Sequence, residues 1–157
     1  MRDICVKLLE SRGVKIQDIA EIVLFLQEKY NPGLKIEKCL EHVEKVLLKR
    51  EVQNAILTGI ELDILAEKHL LSEPLETLIN EDNPLYGIDE ILVLSICNIY
   101  GSIGLTNFGY VDKVKPGIIG KLDKLGKESE DHCSTFIDDI VGAIASAAAA
   151  SVAHSYN

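Results

Sequence analysis

An all-α fold is predicted by three observations. Apolar residues recur at three- and four-residue steps through most of the chain, no stretch alternates apolar and polar residues over five or more positions between hairpin turns, and Asn31-Pro32-Gly33, Asn83-Pro84 and Lys115-Pro116-Gly117 break the pattern. With 157 residues, 47% hydrophobic and 26% charged, the chain suits one compact domain with a real core. The expected architecture is a single-domain helical bundle of about six helices.

The helices are taken in chain order. Val14 to Tyr30 carries Ile16, Ile19, Ala20, Val23 and Leu26 on one face and stops at the Asn-Pro-Gly turn. Leu34 to Lys49 repeats the pattern with Ile36, Leu40, Val43 and Leu47. Residues 51–68 continue at helical period, and a short segment, Leu75 to Ile79, comes after Pro74. Ile88 to Tyr100 is apolar almost all round, which places it at the centre of the domain. Gly101, Gly104 and Gly109 loosen the next segment, and residues 126–132, GKESEDH, read as a polar loop. Ser134 to His154 is a helix whose alanine run, Ala143 to Ala153, suits close backbone contact either inside the bundle or across a two-fold axis between subunits, and a homo-oligomer is expected.

Composition excludes several functions. A formal charge of −9 disfavours a sequence-independent nucleic-acid binder, and the only arginines are Arg2, Arg12 and Arg50. Beyond residue 50, any anion is therefore handled by lysine or a metal. Cys5, Cys39, Cys97 and Cys133 form no CxxC pair and read as reduced thiols. The charged N-terminal segment is not a signal peptide, so the expected location is the cytoplasm, with at most peripheral contact at the inner face of the membrane. His42, His69, His132 and His154 share no ligand spacing and read as surface or cap residues, and neither a GxxxxGK[ST] loop nor a GxSxG elbow occurs.

Carboxylates beside apolar segments remain: Asp89-Glu90, Asp112 and Asp138-Asp139. Mg²⁺ takes hard oxygen ligands of this kind together with water and substrate phosphate. Acidic residues in a first helical turn are also favoured by the macrodipole, and Thr135 with Asp138 resembles a capping box, so spacing alone leaves both readings open. Glu51, Asn54, Thr58 and Glu61 form one polar stripe, either a solvated face or a cleft lining. Asn98, eight residues after Glu90, either satisfies a neighbour's backbone or faces the same cleft.

At LYGIDEILVLSICNIYGSIG, GYVDKVKPGII and FIDDIVGAIASAAAASVAH the chain resembles the phosphatidylglycerophosphatase A family, in particular its short soluble branch in Gram-positive bacteria. The resemblance covers most of residues 50–154, which implies a family-like core over residues 51–154 and an N-terminal helical extension over residues 1–50 outside the match. It implies Mg²⁺-dependent removal of the terminal phosphate from phosphatidylglycerophosphate to give phosphatidylglycerol. By motif position it implies Asp89, Glu90, Asp112, Asp138 and Asp139 as functional carboxylates and Lys115 as a phosphate contact. In the mechanism expected from it, Asp89, Glu90, Asp138 and Asp139 supply the metal shell, Asp112, Lys115 and Asp139 are the catalytic residues, and Asp112 is either a further ligand or the base that orients the water. Asn54, Thr58 and Asn98 are the expected substrate contacts. Membrane-embedded members begin with a Pro-Gly-Thr-x-Gly-Ser type of segment and carry apolar spans with interfacial tryptophans. Here NAILTGIELD keeps only Thr58-Gly59 of that segment, and tryptophan is absent. The alternatives are a phosphatase acting on a soluble phosphomonoester and a non-catalytic helical oligomerisation or binding module.

Overall fold

The computed structural model describes residues 1–156. Among these the chain is entirely helical, without strands: α1 (Arg2–Ser11), α2 (Ile16–Gln27), α3 (Ile36–Leu47), α4 (Arg50–Glu67), α5 (Leu75–Asn80), α6 (Ile88–Cys97), a 3-10 turn (Asn98–Tyr100), α7 (Ser102–Val114), α8 (Ile118–Glu128) and α9 (Ile137–Ser155). Nine α-helices replace the six expected. The six stand within a few residues of their expected ends, and the additions are α1, α7 and α8. Helix α1 shows little apolar character because it buries only Cys5 and Leu9.

Glycine misleads in the case of α7. Gly104 lies inside the helix because a Cβ there would sit 2.7 Å from the Cys97 carbonyl oxygen, so the residue permits close approach to the preceding turn instead of loosening the chain. The polar segment after Gly117 likewise forms α8, with Ile119 and Leu122 buried.

The centre of the bundle is α9, not α6. Every residue from Ile137 to Ala150 is buried, and α2, α3, α4, α6, α7 and α8 all pack around this helix. Small side chains let six neighbours approach one axis. On α6 the inward residues are Val93, Ile96 and Cys97, while Ile88 and Ile91 are 52% and 63% exposed. Apolar character all round thus marks a peripheral helix with an uncovered outer face. By length and composition α9 is apolar enough to cross a bilayer, but the bundle encloses it.

Because Ala143 to Ala150 are enclosed within one chain, the close contact they suit is the one inside the bundle, and the contact expected across a two-fold axis has no basis along them. Ala147→Leu is still expected to overpack the centre, lowering stability by about 1 to 3 kcal/mol in thermal or denaturant unfolding.

Helices α2 and α3 belong to this core rather than to an appendage, since both lie directly on α9. The four cysteines are buried and free. Of the histidines, His69 and His154 are exposed and His132 is half-buried. His42 departs from the expected surface placement: it is buried, with Nδ1 2.8 Å from Ser151 Oγ on α9.

Candidate active site

The site is built on the first turn of α9, which is held from outside its own sequence. Asp63, fully buried on α4, accepts hydrogen bonds from the backbone N–H groups of Phe136 (3.0 and 3.2 Å) and Ile137 (2.9 Å). One turn further along α4, Glu67 accepts from the Cys133 N–H at 2.8 Å and pairs with Arg12, whose guanidinium donates to the Cys133 carbonyl at 2.8 Å. The Thr135 hydroxyl donates to the Ile79 carbonyl at 2.6 Å. The anticipated Thr135–Asp138 capping box is absent because that hydroxyl is engaged elsewhere and Asp63 supplies the cap. Burial pushes the Asp63 carboxyl up to about 8, against the pull of the two backbone N–H groups.

Asp63→Ala would orphan two buried N–H groups. It is expected to cost about 2 to 4 kcal/mol in denaturant unfolding and to loosen the first turn of α9.

With the cap provided by α4, Asp138 and Asp139 are released from that duty. Each is only 6% exposed, at the floor of a cleft of about 530 Å³. Three other elements bring expected site residues to its walls. The first turn of α6 presents Asp89 and Glu90, the end of α7 presents Asp112, and the α7–α8 turn presents Lys115. The Lys115 Nζ donates to Asp112 Oδ1 at 2.9 Å and to Asp138 Oδ2 at 3.0 Å, while Asp138 Oδ1 accepts the Asp139 N–H at 2.9 Å. All six of Asp89, Glu90, Asp112, Lys115, Asp138 and Asp139 therefore line one cleft.

Their electrostatics are unfavourable without a further cation. Seven carboxylates and three ammonium groups line the cleft. Burial raises the Asp139 carboxyl, and the negative charges of Asp138, Asp112 and Asp89 raise it further. Asp138 is also raised by burial, although Lys115 opposes this. Burial works against the Lys115 charge, but Asp138 and Asp112 more than offset it and hold the ammonium above its ordinary range. Asp89 is raised by burial, and its Oδ1 is buried without a hydrogen-bond partner.

The hard oxygen donors and the orphaned Asp89 Oδ1 fit a divalent cation. Among the described residues, however, no three acidic, histidine or cysteine side chains already close around an ion. The Lys115 ammonium bridges the gap between Asp112 and Asp138 instead.

Backbone strain gathers at the same place. Lys115 (φ 48°) and Asp82 (φ 47°), both on the cleft wall, are left-handed non-glycine residues, a conformation costing about 1 kcal/mol each. Pro116 forces the chain out of α7 while Lys115 turns back over Asp112.

Asn54, Thr58 and Asn98 are not brought to the cleft. Asn54 and Thr58 are exposed on α4, together with Glu51 and Glu61, so the stripe is a solvated face. Asn98 is exposed because α6 gives way to a 3-10 turn at that residue, which removes it from the face of Glu90. In the Thr58-Gly59 pair the glycine has the structural role: a Cβ at Gly59 would lie 2.6 Å from Ile140 Cδ1 and 3.0 Å from Leu92 Cδ2, where α4, α9 and α6 meet.

Asp63, Glu67 and Asp82 belong to the site without being among the residues expected from sequence. Asp63 was detectable in principle, since Val52, Ile56, Gly59, Asp63 and Ala66 form one buried stripe in which a carboxylate must have partners.

The model of the family described as Phosphatidylglycerophosphatase A matches residues 8–154. The chain belongs to the phosphatidylglycerophosphatase A family. Its span in this chain takes in the end of α1 and all of α2 and α3, as well as everything from residue 50 to residue 154, so residues 8–50 lie inside the match. The chain is 60% identical to the uncharacterised protein YutG of Bacillus subtilis over 146 residues, 93% of this chain and 86% of that one. It is also similar to two solved structures. One is a Bacillus stearothermophilus protein of unknown function (TM-score 0.95, 55% identity, 100% of this chain and 96% of that one). The other is the low temperature requirement C protein of Listeria monocytogenes (TM-score 0.92, 58% identity, 99% of this chain and 96% of that one).

Proposed function

We propose that this phosphatidylglycerophosphatase A family member is a Mg²⁺-dependent phosphomonoesterase that releases the terminal phosphate of phosphatidylglycerophosphate and leaves phosphatidylglycerol. The observation that carries the reading is the single cleft in which an acidic, cation-deficient floor on α9 faces the carboxylates of α6 and α7, with Lys115 between them. Asp89, Glu90, Asp138 and Asp139 would hold the ion, which when bound neutralises phosphate oxygens and acidifies a coordinated water.

The chain's own groups do the rest. Lys115 keeps its bond to Asp112, exchanges its bond to Asp138 for one to the phosphate, and balances the charge of the departing phosphate. Asp112 accepts the Lys115 bond at Oδ1, which leaves Oδ2 to orient the attacking water and take its proton. The phosphorus–ester bond breaks as the new phosphorus–oxygen bond forms, and the freed alcohol takes up a proton.

Phosphate release by the purified full chain tests this reading. Release from phosphatidylglycerophosphate in detergent micelles is expected to require Mg²⁺, to stop on chelation, and to exceed release from water-soluble glycerol phosphates. Release confined to the soluble esters overturns the lipid substrate. No release from any of these esters with Mg²⁺ present overturns the enzyme.

A further inference from the structure

A lipid substrate requires its enzyme to meet a bilayer, and the long apolar helix that would otherwise do so is enclosed by the bundle. The cleft wall offers something else. Between Asp82 and Glu90 the chain forms a crest of fixed shape. The Asn83 Oδ1 accepts the Leu85 N–H at 3.1 Å, the Tyr86 ring packs edge-on against Phe136 at 6.0 Å, and Gly87 (φ 69°) turns the chain into α6.

With Tyr86 anchored inward, Leu85 points outward and is 94% exposed, the most exposed large apolar side chain among the described residues. Ile88 and Ile91, three residues apart and so on one face of α6, extend the same surface. Across the cleft, Val114 is 44% exposed between Lys113 and Lys115. Other exposed apolar residues, such as Ile4, Leu48 and Leu70, lie in segments that contribute nothing to the cleft wall.

We propose that Leu85, Ile88 and Ile91 form an interfacial anchor that inserts into the surface of a phospholipid bilayer and presents the mouth of the acidic cleft to the headgroup layer. The choice of occupant rests on the phosphatidylglycerophosphatase reading and on continuity, because Asp89 and Glu90, which would hold the ion, lie between Ile88 and Ile91 on the first turn of α6. A phospholipid whose acyl chains stay in the bilayer beside the anchor can place its terminal phosphate in the cleft. Lys113, on the opposite rim, can run its alkyl stem along Val114 and offer its ammonium to the lipid phosphates. The net charge of −9 opposes broad electrostatic adsorption to anionic lipid, so binding must depend on the apolar anchor.

The chain lacks tryptophan, so a single introduced indole is an unambiguous probe. In Leu85→Trp, vesicles of phosphatidylcholine and phosphatidylglycerol in equal parts are expected to shift the emission to the blue. In Leu48→Trp, at an exposed apolar site away from the cleft, the emission is expected not to move.

The combined variant Leu85→Ser, Ile88→Ser and Ile91→Ser is expected to melt like wild type, because the three side chains are exposed. It should sediment with vesicles about tenfold less, the loss of three shallowly inserted side chains. Wild type that stays off vesicles, an unshifted Leu85→Trp, equal shifts at both probes, or a serine variant that binds vesicles like wild type each overturns the anchor. A serine variant whose vesicle binding is intact but whose oligomeric state has changed reassigns the surface to self-association and also overturns it. Vesicle binding through Leu85 by a protein that hydrolyses no phosphate ester leaves the anchor standing and removes the phosphatase reading, so the two fail separately.

Discussion

Asp139→Asn is expected to abolish Mg²⁺-dependent phosphate release, by about 10²-fold or more, while making the metal-free protein more stable. Both effects have one cause. Asp139 sits almost fully buried among Asp138, Asp112 and Asp89 and has no ion-pair partner among the described residues. Burial and those charges disfavour its carboxylate in the folded protein, and they cease to do so only when a cation is present. The neutral amide keeps the shape and removes the repulsion, with a gain on the order of 1 kcal/mol or more at neutral pH.

The pH dependence has a definite sign. A carboxyl held above its ordinary range in the folded state, as Asp139 and Asp63 are, contributes stability that is complete below the unfolded value near 4 and is lost as pH rises through the folded value. For Asp63 that value is about 8. Metal-free wild type is therefore expected to melt at a lower temperature at pH 8 than at pH 5.5, with a smaller decline in Asp139→Asn. Saturating Mg²⁺ should raise the melting temperature of wild type by mass action at pH 8, should do little at pH 5.5, and should do little for the variant at either pH. An Asp139→Asn protein that keeps full activity, or a wild type whose melting ignores Mg²⁺, contradicts this account.

Lys115→Met is the second large effect, and its stability change has the opposite sign. The ammonium is the cation shared by Asp112 and Asp138, so removing it leaves a buried carboxylate on α9 without compensation. Breaking a buried pair costs about 3 to 5 kcal/mol, and the part-exposed lysine reduces this to about 2 to 3 kcal/mol. Phosphate release should fall with it. Because Mg²⁺ would give Asp138 the positive charge that Lys115 no longer supplies, the ion should recover more melting temperature in Lys115→Met than it adds to wild type. A variant that is destabilised and gains no more from Mg²⁺ than wild type makes Lys115 a plain structural ion pair. Calorimetric melts with and without the ion, run beside the Asp139→Asn series, separate the cases.

Periodicity alone was sufficient to predict an all-helical chain, the positions of six helices and the acidic residues at their ends, because amphipathic spacing and helix-terminal chemistry are local. The same locality explains the failures. Gly104 looks like a breaker until Cys97 is seen to pack on it, and α6 looks central until Ile88 and Ile91 prove to face outward. Which helix occupies the middle depends on how many neighbours can approach one axis, a property of the assembled bundle that favours alanine over leucine.

The site divides in the same way. Asp89, Glu90, Asp112, Lys115, Asp138 and Asp139 were legible as carboxylates and a lysine beside apolar segments, together with their resemblance to a known family. That they meet in one cleft was decided by the packing of α6 and α7 against α9. That Asp138 and Asp139 are spared the capping of their own helix rests on Asp63, seventy-five residues before Asp138 and not among the expected site residues. A backbone N–H group in the first turn of a helix must be satisfied, but the chain can satisfy it from any distance, and only the tertiary structure shows which residue does so.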